Sequence, residues 1–254
     1  MFAALPAARA QEIPTLGVPT ADPVIQRIYQ EGMQNSQAYR LAQVLMDSIG
    51  PRLTGSPQNR SANDWLVKTY TAWGIPARNE KYGTWRDWAR GQSRLELTTP
   101  RLRTLEATQL AWSPATPPGG VTGEVVTLPV YGAAMDSAGF VRWLGTVKGK
   151  FVLMSAPQPT CRPDSSWQSW AQPTSFAAMR AARDSATQQW RQRLTAMGVN
   201  ARALPARLDA AGVAGVLSNN WSRGWGVDKI FSARTDRAPT FDVSCEDYGL
   251  LARL

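Results

Sequence analysis

Apolar residues recur along the chain with two different periods, and the switch between them marks out the elements. Asp22-Pro23 is an N-cap with proline at the first helical position, and Val24, Ile25, Ile28 and Tyr29 follow at helical spacing. Ser36 can cap a second helix with an apolar face of Tyr39, Leu41, Ala42, Val44, Leu45 and Ile49. Gly50-Pro51 ends that helix, because proline lacks the amide hydrogen and restricts the residue before it. A third helix is predicted from Ser56 as cap and Pro57 as first residue. Its buried stripe is Ala62, Trp65, Leu66, Tyr70 and Trp73, and Gly74 terminates it in the left-handed conformation. "IPARNEKYGTW" and "SRLELTTP" read as strands, the second with Leu95 and Leu97 inward and Arg94 and Glu96 outward.

The texture changes near Thr116, where "TPPGG" is a breaker cluster and a domain boundary is expected. "VTGEVVTLPVY" is β-rich, Ser137–Leu144 reads as a short helix, and Phe151–Met154 as a short buried strand. A long polar helix is predicted over about Thr174–Met197, its arginine-studded side solvated and one stripe packed through Phe176, Met179, Trp190 and Leu194. "LPARLDAAGVAGVLSNN" reads as helix, glycine turn and strand; "APTFDVSCEDYGLLARL" reads as a strand and a helix capped by Ser244. This alternation predicts an open α/β layer from Val121 onward. The expected division is 1–10, 11–118 and 119–254, and the final helix has no terminating signal, which reads as a fragment.

Composition narrows the classes. With 43% hydrophobic and 19% charged residues the chain is globular in type, and no apolar run approaches the roughly 18–20 residues of a membrane span. A net charge of +9 raises nucleic acid as a partner, but the arginines are scattered and no four basic residues run together, so neither nucleic acid nor membrane is expected. "MFAALPAARAQEIP" carries Ala8-Arg9-Ala10, a small-x-small cleavage pattern. Residues 1–10 are therefore read as a signal-peptide remnant, and the protein as secreted or periplasmic. Cys161 and Cys245 can form a disulfide or stay free.

Candidate chemistry is sparse. The chain has no histidine, which excludes Ser-His-Asp and Cys-His catalysis and any zinc site that needs imidazole. "DSIGPRLTGSPQNR" places Asp47, Arg52 and Ser56 in one loop, but Ser56 has no base and its capping role accounts for it. Glu246-Asp247 sits in a first turn, where acidic residues stabilise the helix dipole. "WSRGWG", Trp221 to Gly226, either binds a ligand or folds back onto its own domain. GxGxxG and P-loop patterns are absent, and no catalytic constellation is visible.

The order of the pieces does carry a resemblance. "LMDSIGPRLTGSPQNRSANDWLVKTYTAWGI" resembles the N-terminal segment of secreted zinc aminopeptidases of metallopeptidase family twenty-eight, whose members typically read "IGPRLTGSPG" there. "EKYGTWRDWARGQSRLEL" and "LAWSPAT" continue the match. "GKFVLMSAP", "AAGVAGVL" and "APTFDVSCEDYGLLARL" are similar to the protease-associated domain that many of these enzymes carry as an insertion.

The resemblance implies the opening helices and strands of an incomplete zinc-exopeptidase α/β domain, followed by a protease-associated α/β insertion. It also implies removal of N-terminal residues from peptide substrates at a pair of zinc ions held by two His, two Asp and a Glu, with another Glu as general base. Those residues follow the insertion in the family, so no catalytic or metal residue carries over, and this chain alone is expected to bind no zinc and be inactive. Its partners would be peptide substrates and the missing C-terminal catalytic portion. Arg52 is the one substrate-proximal candidate. The other expectation is a non-catalytic protease-associated-type module that binds peptides or proteins.

Overall fold

The computed structural model describes residues 20–130, 134–227, 229–231 and 233–254. The signal-peptide reading falls on residues outside this set. The chain forms two compact units, Met1–Asp87 and Trp88–Leu254.

In the first unit, helix α1 (Pro23–Gln34) starts where the sequence places it, with Asp22 Oδ1 accepting from the amides of Val24 (2.8 Å) and Ile25 (3.4 Å). Helix α2 (Ala38–Gln43) runs into a π-helical segment, Val44–Ile49, which stops at Gly50. Its N-cap is Gln37 rather than Ser36, whose Oγ instead accepts from Ala38 N at 3.3 Å. Helix α3 (Pro57–Ala72) has Ser56 as its cap, and Gly74 follows with φ +76°.

Two expectations for this unit fail. Of the stripe predicted on α3 only Ala62 is buried; Trp65 and Leu66 are half-buried, and Tyr70 and Trp73 are exposed. Among the described residues of this unit, too few apolar side chains pack on that face to bury it. Residues 75–85 form no strand, because no neighbouring segment pairs with them.

The second unit opens with a two-stranded antiparallel ribbon, β1 (Leu95–Leu97) and β2 (Arg103–Leu105), in which Leu95 lies opposite Leu105. Then come β3 (Ala107–Gln109), β4 (Val125–Thr127), α4 (Ser137–Leu144) and β5 (Phe151–Leu153). The remainder is α5 (Asp164–Trp170), α6 (Pro173–Ala196), α7 (Leu204–Ala210), β6 (Gly215–Ser218), β7 (Thr240–Val243) and α8 (Cys245–Arg253). The main sheet has the order β3-β7-β6-β5-β4, with β4 to β7 parallel and β3 antiparallel at one edge. This is a mixed α/β fold, as the alternation predicts. The sheet nevertheless begins before Val121, because β3 joins it, and the breaker cluster at 116–120 lies inside this unit.

Side-chain alternation on the strands builds two cores. Val152 and Val216 face Leu194 of α6, Leu204 and Leu208 of α7, and Phe140 of α4. One residue on, Leu153 and Leu217 face the opposite side with Phe241 and Val243, under Tyr248 and Leu251 of α8 and Leu95, Leu97 and Leu105 of the ribbon. β6 and β7 are buried along their whole length, as central parallel strands covered on both faces must be. Gly215 is required by this packing: a Cβ there would lie 2.6 Å from the Phe151 ring and 3.2 Å from Pro239 O.

Candidate functional site

The loop holding the three polar candidates turns out to be internally braced. The Arg52 guanidinium donates from Nη1 to the carbonyls of Leu45 and Gly50 (2.6 Å to the latter), tying off the end of the π-helical segment. Leu45 O already accepts from Gly50 N (3.1 Å), so the guanidinium adds a second donor there, and a cation at a helix C-terminus also opposes the negative end of the helix dipole. Gly50 and Gly55 adopt φ +78° and +87°, conformations that a side chain would strain. A Cβ on Gly55 would also lie 3.2 Å from Trp85 Cβ, so residues 85–86 pack directly on the loop. Ser56 is buried and its Oγ accepts from Asn59 N at 3.1 Å. Asp47 lies exposed on the π-helical segment. Arg52 and Ser56 thus hold backbone, and these three side chains form no catalytic hydrogen-bonded set with one another.

Asp247 has a larger role than easing a helix dipole. It is buried at the start of α8, and its carboxylate accepts from the Arg103 guanidinium and from Glu106 N at 2.7 Å. It fastens the β1–β2 ribbon to α8 across a span of sequence that no local pattern could reveal. Cys161 and Cys245 form a disulfide, 84 residues apart in sequence, that ties the segment after β5 to the first turn of α8. Beside it, Tyr248 Oη donates to Ser155 O (2.8 Å) and accepts from Ser155 N (2.7 Å), while Ser155 Oγ accepts from Asn219 N (3.0 Å). The ends of β5 and β6 and the start of α8 are therefore locked together.

Of the two readings left open for "WSRGWG", folding back accounts for Trp221. Its indole lies beneath the Arg183 guanidinium, 4.4 Å from ring centroid to Cζ, and its Nε1 donates to Gly224 O at 2.7 Å. Arg183 itself is buried within the helix read as solvated on its arginine side. Its guanidinium pairs with Asp164 and donates to the carbonyls of Arg162 (2.7 Å) and Thr160 (3.3 Å). Arg223 reaches the other oxygen of Asp164 at 3.2 Å.

The outer side of Trp221 borders a cavity of about 600 Å³ where β5 and β6 end. Ligands of open α/β sheets bind beyond the carboxyl ends of parallel strands, which is where this cavity lies. Its floor includes Ser218, Asn219 and Asn220. Ser218 Oγ and the Asn220 amides donate to the buried Asp242 carboxylate at 2.8–3.1 Å. Asn219 Nδ2 is buried and has no partner, its Oδ1 being held by Trp221 N at 2.9 Å. Arg202, Lys229 and Arg234 stand around the same cavity. Sequence reasoning passed over these three cations, because they come from separate segments and none belongs to a motif.

Among the described residues no group of three or more His, Cys, Asp or Glu side chains is placed to hold a metal ion. Both cysteines are committed to the disulfide and the chain has no imidazole, so its donor set does not fit a zinc pair. No described helix is long and apolar enough to cross a membrane.

No family profile matches the chain. It is 26% identical to carboxypeptidase Q of Mus musculus over 126 residues, which is 50% of this chain and 26% of that protein. The Rattus norvegicus carboxypeptidase Q is 27% identical over 129 residues, 50% of this chain and 25% of that protein. The chain thus spans about a quarter of the length of these curated relatives. Among solved structures, a peptidase M28 precursor from Shewanella amazonensis superposes with a TM-score of 0.53 at 17% identity. The match covers 91% of this chain and 46% of that one, and establishes likeness of fold. A zinc aminopeptidase from Bacillus subtilis matches with a TM-score of 0.42 at 14% identity, over 85% of this chain and 40% of that one.

Proposed function

We propose that this chain is the N-terminal part of an exported zinc-dependent aminopeptidase that acts on peptides, with the metal ligands supplied by sequence beyond it and residues 119–254 forming a protease-associated insertion. The observation that carries the peptidase part of the reading is the 126-residue match to carboxypeptidase Q, while zinc and cleavage at the N-terminus come from the sequence resemblance. The likeness of fold to a peptidase precursor over 91% of the chain supports it. A disulfide between distant segments fits an oxidising compartment and hence export. On this reading the present residues serve as scaffold, and the zinc ions would polarise the scissile carbonyl at a site that this chain alone does not build. The braced Gly-Pro loop would lie near the cleft, with Arg52 close to substrate.

Apolar exposure in the first unit also favours this reading. Val24, Ile28 and Met33 of α1 are 63–67% exposed, and Tyr39 and Met46 follow on the next helical segments. Clustered exposed apolar residues mark surfaces that another element covers. On its own the 254-residue chain should therefore bind a hydrophobic dye and self-associate in sedimentation. A monodisperse monomer that binds no dye would count against the need for further chain.

A second reading, a non-catalytic protease-associated-type module that binds peptides or proteins, is favoured by one feature. The second unit has its own two-sided core and its own covalent tie. The coding sequence beyond Leu254 separates the two readings. An open frame with a His-x-Asp strand end and later acidic ligands supports the peptidase, and an immediate stop supports the module.

A further inference from the structure

The cavity where β5 and β6 end has a chemistry that neither reading uses. Arg202, Lys229 and Arg234 converge on it, and among the described residues none of them has an ion pair and no carboxylate lines the wall. Asp242, the carboxylate behind the floor, already accepts from Ser218 and Asn220, and the cations outnumber it. Like charges held around one concavity repel each other and concentrate positive potential there, a cost that a bound anion removes. Asn219, 8% exposed at the floor, adds an amide donor with no partner.

The remaining wall is apolar. Leu110, Met154 and Phe231 lie on the same cavity, with the Phe231 ring half open to solvent. A bare inorganic anion would leave that surface wet. An organic acid would satisfy both parts, its charge set against the guanidinium and ammonium groups and its body against the aromatic and aliphatic side chains. Guanidinium also suits carboxylate geometrically, through paired N–H donors.

We infer that this cavity is a binding site for a small organic carboxylate with an apolar body, such as an acylated hydrophobic amino acid. The site lies wholly within the second unit and does not depend on the peptidase reading. Its described lining has no His, Cys, Asp or Glu to hold a metal, so its occupancy should be indifferent to chelator.

The test is isothermal titration of the chain at fixed ionic strength with three probes: N-acetylphenylalanine, its uncharged amide, and inorganic phosphate. N-acetylphenylalanine should bind saturably at one site, and both the amide and phosphate should bind at least about tenfold more weakly, the scale of one lost charge-assisted hydrogen bond. Arg202→Gln and Arg234→Gln, at exposed positions where folding is not at risk, should each weaken N-acetylphenylalanine by about tenfold. Arg142→Gln, an exposed cation away from the cavity, should leave it unchanged. Equal binding of the amide would overturn the role of the charge, and equal binding of phosphate would overturn the role of the apolar wall. Binding that survives both cavity variants, or no binding at all, would overturn the site.

Discussion

Replacing Cys161 and Cys245 together by serine should lower the stability of the second unit by about 4–5 kcal/mol, one of the two largest effects expected of this chain. The bridge closes a loop spanning 84 residues of sequence separation, and that loop contains α5, α6, α7, β6 and β7. Breaking it returns the loop's conformational freedom to the unfolded chain, while the folded state keeps the Tyr248–Ser155 hydrogen bonds close by. Urea unfolding of the serine variant should show a lower midpoint under conditions where the parent remains folded. An unchanged midpoint would mean that the unfolded chain is already compact around this loop.

Arg183→Ala should cost about 3 kcal/mol, the lower end for breaking a buried pair, because the half-buried Asp164 carboxylate loses its close partner and keeps only the exposed Arg223. Two carbonyls, those of Thr160 and Arg162, lose donors in the same step, and the Trp221 ring loses the cation above it. Arg183→Lys should recover only part of this loss, since an ammonium cannot span an acid and two carbonyls as the planar guanidinium does. Both this contact and the disulfide hold residues 160–164. Combined removal should therefore cost less than the sum of the separate losses, and a double-mutant cycle on thermal or urea unfolding measures the difference. Strict additivity would show that the two ties act on separate parts of the fold.

How legible these features were depends on how far their physics reaches along the chain. Asp22, Ser56 and Ser244 cap helices through hydrogen bonds to amides two or three residues away, so their roles can be read from a few letters of sequence. β5, β6 and β7 were legible as short apolar runs between glycine or proline breaks. β2 and β3 were missed, since three-residue strands carry almost no alternation and β3 is held by pairing with β7 far along the chain. The short polar helix α5 was missed for lack of an apolar stripe. Arg183 was read as part of a solvated face because its partners lie in a segment about 20 residues earlier. Asp247 was read through its local helix, although its strongest partner is Arg103. The cations of the cavity were illegible for the same reason: only the folded sheet brings positions 202, 229 and 234 to one wall.

The stability predictions concern the scaffold. If the scaffold belongs to a zinc aminopeptidase with its metal site in further sequence, as proposed, a hydrolysis assay will reveal it. The product of the complete reading frame and the 254-residue chain would each be supplied with aminoacyl and N-blocked C-terminal substrates, with chelator and then with added zinc. The complete product should release N-terminal residues, lose that activity to chelator and regain it with zinc, while the 254-residue chain should be inert throughout. Zinc-dependent hydrolysis by the 254-residue chain alone, or a complete product inert toward every substrate, would contradict the proposal.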